Sequence, residues 1–128
     1  MKRIGMMCLV ILFVLTGCGG KDMKGNTYKQ ISQEEAKKMM EAQADAVIMD
    51  VREAYEYEAG HIPGAVLLPV GSIDEESAKA AIPSKDSVVL VYCRSGNRSK
   101  TASAALADLG YSEVYEFGGI NTWPYEIE

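Results

Sequence analysis

Histidine occurs once in this sequence and cysteine three times. Two of the cysteines fall within the first 18 residues, outside the expected fold; one imidazole and the one remaining thiol cannot supply the usual four ligands of a zinc site unless carboxylates help, so no metal is expected. An odd cysteine count cannot be a closed set of disulfides; at least one thiol is free, bonded elsewhere or removed. Positive charge is also short, with 13 Lys and Arg against 18 Asp and Glu and a net charge of −5, which argues against a broad basic surface for nucleic acid. No apolar run reaches the roughly 20 residues that span a bilayer. Four prolines, 12 glycines and no internal repeat exclude a collagen-like chain, and 48% hydrophobic with 24% charged residues is a globular rather than a disordered composition. The 128 residues have room for one domain.

The N-terminus is expected to lie outside the fold. Lys2 and Arg3 precede a mostly apolar run from Ile4 to Leu15, followed by Leu15-Thr16-Gly17-Cys18. A run of about 12 residues suits the apolar region of a signal peptide. Leu-Thr-Gly-Cys resembles the bacterial lipobox, a resemblance that implies acylation of Cys18 and cleavage of the peptide bond before it. The alternatives are a plain secretory signal with a coincidental cysteine, or an uncleaved anchor. The expected organisation is a signal peptide over 1–17, a lipidated Cys18 with a polar, Gly-rich tether to residue 27, and a domain over 28–128. Loss of Lys2 and Arg3 moves the net charge from −5 to −7.

Within the domain, apolar strand-like runs alternate with helical patterns. Strands are predicted at 28–31, 46–51, 65–68, 88–92 and 114–117; the run Val88-Val89-Leu90-Val91-Tyr92 is the strongest, apolar on both faces. Ser32 with Glu35 forms a capping box for a helix over 33–43, and Ser72 with Glu75 is expected to open another that ends at Pro83. Residues 53–59 can form a short helix stopped by Gly60. Ala102, Ala105, Leu106 and Leu109 recur at helical spacing, with Gly110 placed to end that helix. The pattern predicts an α/β fold with a mostly parallel central sheet and helices on both faces. Sites in such sheets lie at the carboxyl ends of strands, here Asp50 and Arg52, Cys93, and Gly118-Gly119.

Cys93-Arg94-Ser95-Gly96-Asn97-Arg98-Ser99 follows the strongest strand and leads into a helix. Loop amides and a helix N-terminus aim free N–H groups into one small concavity that favours an anion. Arg94 and Arg98 add positive charge wherever they point into it. Both effects stabilise thiolate over thiol, and Gly96 allows close approach of the backbone. The alternative is a buried structural cysteine, for which two arginines would be poor neighbours.

Four motifs now stand in order: Asp50-Val51-Arg52-Glu53; Gly60-His61-Ile62-Pro63-Gly64-Ala65; Tyr92 to Ser99; and Gly118-Gly119-Ile120 with Trp123. Together they resemble the single-domain rhodaneses, sulfurtransferases built as a three-layer α/β sandwich. The resemblance covers about residues 28–126. It implies that Cys93 takes a sulfane sulfur from thiosulfate or a similar donor as a persulfide and passes it to a thiophilic acceptor, with Arg94, Ser95, Gly96, Asn97, Arg98 and Ser99 as the loop that binds substrate and persulfide. It implies no cofactor, and no general base for a nucleophile already ionised. The expected partners are a small sulfur donor, a thiol, cyanide or protein acceptor, and membrane lipid through Cys18. The chain is expected to act as a monomer on the extracytoplasmic face of a bacterial membrane.

Rival readings follow from the same residues. Protein tyrosine phosphatases place five residues between Cys and Arg; here Arg98 comes after four, so phosphatase or arsenate reductase chemistry is disfavoured. A low-turnover sulfur carrier or thiol sensor is the main alternative, and a pure docking domain the third. Asp50 and Arg52 are expected either to order the Cys93 loop from behind or to form a structural ion pair. The resemblance places His61 in a structural turn, and Trp123 reads as core packing or a pocket wall.

Overall fold

The computed structural model describes residues 27–128, so the expected signal peptide, Cys18 and nearly all of the tether lie outside the described residues. Five strands, β1 (Lys29–Gln30), β2 (Val47–Asp50), β3 (Val66–Leu67), β4 (Val88–Cys93) and β5 (Glu113–Gly119), form one sheet in the order β1-β5-β4-β2-β3. Every pairing is parallel. Helices α1 (Gln33–Ala42), α2 (Ala54–Ala59), α3 (Glu75–Ala81) and α4 (Asn97–Asp108) cover it.

The strand period of two divides the core between the two faces. Val89, Val91 and Cys93 of β4 join a cluster with Ala78 and Ile82 from the α3 region and Ala102 and Leu106 of α4. Leu90 and Tyr92 point the other way, into a cluster with Ala36 of α1 and, at its margin, Tyr57 of α2. The molecule is therefore the expected three-layer sandwich, with α1 and α2 on one face and α3 and α4 on the other.

Local chemistry explains most element ends. The Ser32 hydroxyl accepts the Glu35 N–H at 3.0 Å, and the Glu35 carboxylate accepts the Ser32 N–H at 3.0 Å, which completes the first capping box. Helix α4 ends in a Schellman turn: Tyr111 N–H donates to Leu106 O at 3.2 Å and Gly110 N–H to Ala107 O at 3.0 Å. Gly110 supplies the left-handed residue at φ 102°.

The second capping box is not where Ser72 and Glu75 suggested. Residues 70–72 make a 3-10 turn after Pro69, and Asp74 caps α3 instead. Its carboxylate accepts Ser77 N–H at 2.8 Å while the Ser77 hydroxyl accepts Asp74 N–H at 2.9 Å. Ile73 must first turn inward to pack on the core, which delays the helix by two residues. Ser72 contributes its carbonyl, which accepts the Ser77 hydroxyl at 2.8 Å.

Strand β5 carries an irregularity that matters for the site. Val91 pairs with Glu116, but Cys93 pairs with Gly119, so β5 uses one extra residue alongside the end of β4.

Candidate active site

Cys93 ends the central strand, and its odd parity points it at the α4 face. The backbone then turns through Arg94 and Ser95 to Gly96, which caps α4 in the left-handed conformation (φ 109°, ψ −9°). The first turn of α4 thus begins beside the sulfur, with its N–H groups lacking helical acceptors. Gly96 N–H donates to Cys93 Sγ at 3.0 Å, and the thiol donates to Ser99 Oγ at 3.4 Å. Only 1% of Cys93 is exposed. Burial pushes its thiol up, but the Ser99 hydroxyl and the N–H groups of Ser99, Gly96 and Ser95 outweigh it and hold the thiol below its ordinary range. The sulfur therefore sits in an anion cradle made chiefly of backbone.

The two arginines of the loop behave differently from each other. Arg98 lies back against α2, where Nη1 and Nη2 donate to the two Glu56 carboxylate oxygens at 2.7 and 3.0 Å. That fork holds the Glu56 carboxyl down to about 2 and raises Arg98 further. Its charge still acts on Cys93, although Glu56 offsets much of it. Arg94 is exposed and lines a cavity of about 290 Å3 with Arg52, Tyr55, Glu56, Ile120 and Asn121. A second cavity of about 320 Å3, with Ser95, Gly96, Lys100 and Glu116 on its walls, lies on the loop's other side. Ser95 and Asn97 are exposed, while Gly96 and Ser99 are buried.

Asp50 and Arg52 are buried and paired, with Arg52 Nη2 2.7 Å from Asp50 Oδ2. Arg52 also donates to Gly60 O at 2.7 Å; the Tyr92 hydroxyl donates to Asp50 Oδ2 at 2.7 Å and accepts Ile62 N–H at 3.1 Å. Burial, then Asp50, raises the Tyr92 phenol. The pair thus fastens the Gly60 turn to the residue before Cys93. Among the described residues, it makes no hydrogen bond to the loop from Arg94 to Ser99.

His61 stacks on Tyr57 with ring centroids 3.8 Å apart, and its backbone pairs with Glu128. It stands in the Gly60 turn and lines neither cavity beside Cys93. Trp123 packs on Phe117 at 5.4 Å and walls a separate cavity of about 220 Å3 against α1 and Pro63.

Two acidic residues at the site escaped the sequence reading. Glu56 is one charge among several on a short helix. Glu116 has a visible signal, a carboxylate inside the apolar run Val114 to Phe117. It shares parity with Val114, so it faces α4, where its carboxylate accepts the Ser99 hydroxyl at 2.5 Å and Gly118 N–H at 2.9 Å.

The family model described as "Rhodanese-like domain" matches residues 32–125. The chain is 41% identical over 97 residues to thiosulfate sulfurtransferase GlpE of Coxiella burnetii, covering 75% of this chain and 87% of that protein. It is 36% identical over 72 residues to thiosulfate sulfurtransferase PspE of Escherichia coli, covering 56% of this chain and 68% of that one. A solved structure described as a rhodanese with anions from E. coli superposes with a TM-score of 0.59 at 31% identity, covering 65% of this chain and 96% of that one.

Proposed function

The chain belongs to the rhodanese-like family, and on that premise we propose that it moves a sulfane sulfur from thiosulfate or a similar donor to a thiophilic acceptor through a persulfide on Cys93. The observation that carries this is the buried Cys93 sulfur, held below its ordinary thiol range by the N–H groups of Ser95, Gly96 and Ser99 and by the Ser99 hydroxyl.

The Cys93 thiolate attacks the outer sulfur of thiosulfate. One S–S bond forms, the donor's S–S bond breaks, and sulfite leaves with the electron pair. The terminal persulfide sulfur is anionic and stays within reach of the same amides. An acceptor such as a thiolate, cyanide or a protein thiol then attacks that sulfur and restores the Cys93 thiolate. The two half-reactions give ping-pong kinetics. Arg94, exposed at the mouth, adds positive charge where a dianionic donor arrives.

The proposal extends to location. The lipobox-like run to Cys18 supports a lipid tether on the extracytoplasmic face of a bacterial membrane. Labelled palmitate should enter the wild-type protein and fail to enter Cys18→Ser; equal labelling rejects the tether.

Thiosulfate with cyanide should yield thiocyanate, and Cys93→Ala should abolish it. Intact mass after thiosulfate alone should rise by one sulfur atom at Cys93. A stable persulfide with little thiocyanate at high cyanide would assign a carrier rather than a turnover enzyme. Thiocyanate formation that survives Cys93→Ala would reject the nucleophile.

A further inference from the structure

Glu116 is only 2% exposed. Among the described residues, the salt bridges all lie elsewhere. A buried carboxylate with no cation is costly unless hydrogen bonds or a proton compensate it. Here Oε2 accepts Gly118 N–H at 2.9 Å and Oε1 accepts the Gln30 side-chain amide at 3.2 Å. The remaining contact is the Ser99 hydroxyl, 2.5 Å from Oε2. Ser99 is itself fully buried and stands 3.4 Å from Cys93 Sγ. A hydroxyl has one proton; Gly96 O at 3.0 Å and Gly118 O at 3.4 Å also lie within reach of it, but the shortest contact and the charged acceptor assign it to Glu116. The Ser99 oxygen is then free to accept the Cys93 thiol proton. Thiol, hydroxyl and carboxylate form one buried chain of hydrogen bonds.

We infer that Glu116 takes up the Cys93 proton through Ser99, so that the site reaches its nucleophilic form without a second buried anion. In this step the S–H bond breaks and its proton goes to Ser99 Oγ, while the Ser99 proton moves to Glu116 Oε2. Ser99 now donates to the thiolate and the neutral Glu116 carboxyl donates to Ser99. No proton enters or leaves the protein and the total charge is unchanged. Glu116 acts through Ser99 and so positions the proton. The inference rests on Cys93 being the nucleophile, and it replaces the expectation that the thiol needs no proton acceptor.

The other charged groups around the chain come from α2, α4, the end of β2 and the loop. Arg98 of α4 acts on Cys93 and is paired with Glu56 of α2, which ionises at about 2. Asp50 and Arg52 form their own pair behind Tyr92. Lys100 of α4 shares the cavity beside Glu116, and Arg94 is exposed on the loop.

The test is the pH dependence of iodoacetamide alkylation in the full chain, read on the Cys93-containing peptide by mass spectrometry. Two sites that share one proton titrate in two macroscopic steps. Wild type should show a low-pH rise, a plateau from the form with thiolate and neutral Glu116, and a second rise. Glu116→Gln should show one ionisation and no plateau. Ser99→Ala, which keeps the carboxylate but removes the bridge, should lower the plateau about tenfold. The same single ionisation in wild type and Glu116→Gln, a plateau that survives Glu116→Gln, or a plateau unmoved by Ser99→Ala overturns the inference. Wild type and Ser99→Ala suffice should Glu116→Gln fail to fold. Because alkylation involves no sulfur donor, a failed inference leaves thiocyanate formation intact, and a failed sulfurtransferase assignment leaves the two-step profile intact.

Discussion

Replacing Gly119 with alanine tests how the sheet irregularity builds the sulfur cradle. Gly119 has φ −136° and ψ 155°, a backbone conformation alanine adopts freely, so any effect is steric. A Cβ there would lie 2.0 Å from the Arg94 carbonyl oxygen, 2.4 Å from its carbon and 2.6 Å from Ser95 N. The Arg94–Ser95 peptide must therefore retreat by about 1.4 Å to reach ordinary contact, an overpacking that typically costs about 1–3 kcal/mol. For a domain of this size that lowers the melting temperature by about 4–24 °C. The same peptide carries the Ser95 N–H that helps hold the Cys93 thiolate. A hydrogen bond to a charged group contributes about 1.5–3 kcal/mol, so persulfide formation at neutral pH should slow by about ten- to a hundredfold. The assay is stopped-flow persulfide formation with thiosulfate, alongside a thermal melt. Gly71→Ala is the control, since nothing lies within 4 Å of a Cβ at that position. A Gly119→Ala protein that melts and reacts like wild type would refute the reasoning.

Two other perturbations separate charge from architecture. Arg98 depresses Glu56 to about 2 from an ordinary 4.5, so the pair's stabilisation is complete above pH 4.5 and fades as pH falls toward 2. The denaturation midpoints of wild type and Glu56→Gln should differ most at neutral pH and converge near pH 2; a gap independent of pH would reject the pairing as its source. Tyr92→Phe leaves the buried Ile62 N–H without its acceptor and removes one donor to Asp50, a loss of about 1–3 kcal/mol by chemical denaturation. Tyr92 faces away from α4, so thiocyanate formation by the folded variant should stay within a few-fold of wild type, and a larger loss would show that this network reaches the sulfur.

What the sequence by itself determined was set by neighbours along the chain. The apolar run from Val88 gives a buried strand, so Cys93 falls at its carboxyl end. Gly96 can take the left-handed cap that starts α4, and Gly110 the one that ends it. The Ser32–Glu35 box closes within one helical turn. Such features need only local backbone geometry. The Ser72–Glu75 reading failed although it too was local, because Ile73 is drawn to the core and Asp74 takes over as cap. Tertiary structure alone decided the rest. Arg98 meets Glu56 from 42 residues away and Ser99 meets Glu116 from 17 away. Both contacts depend on which strands lie side by side and which face each residue takes. Only the sheet order and the extra residue in β5 bring Gly119 against Arg94, and only the parity of β5 turns Glu116 toward Ser99. Motifs along the chain thus located the nucleophile, while the groups that govern its charge were assembled by packing between elements.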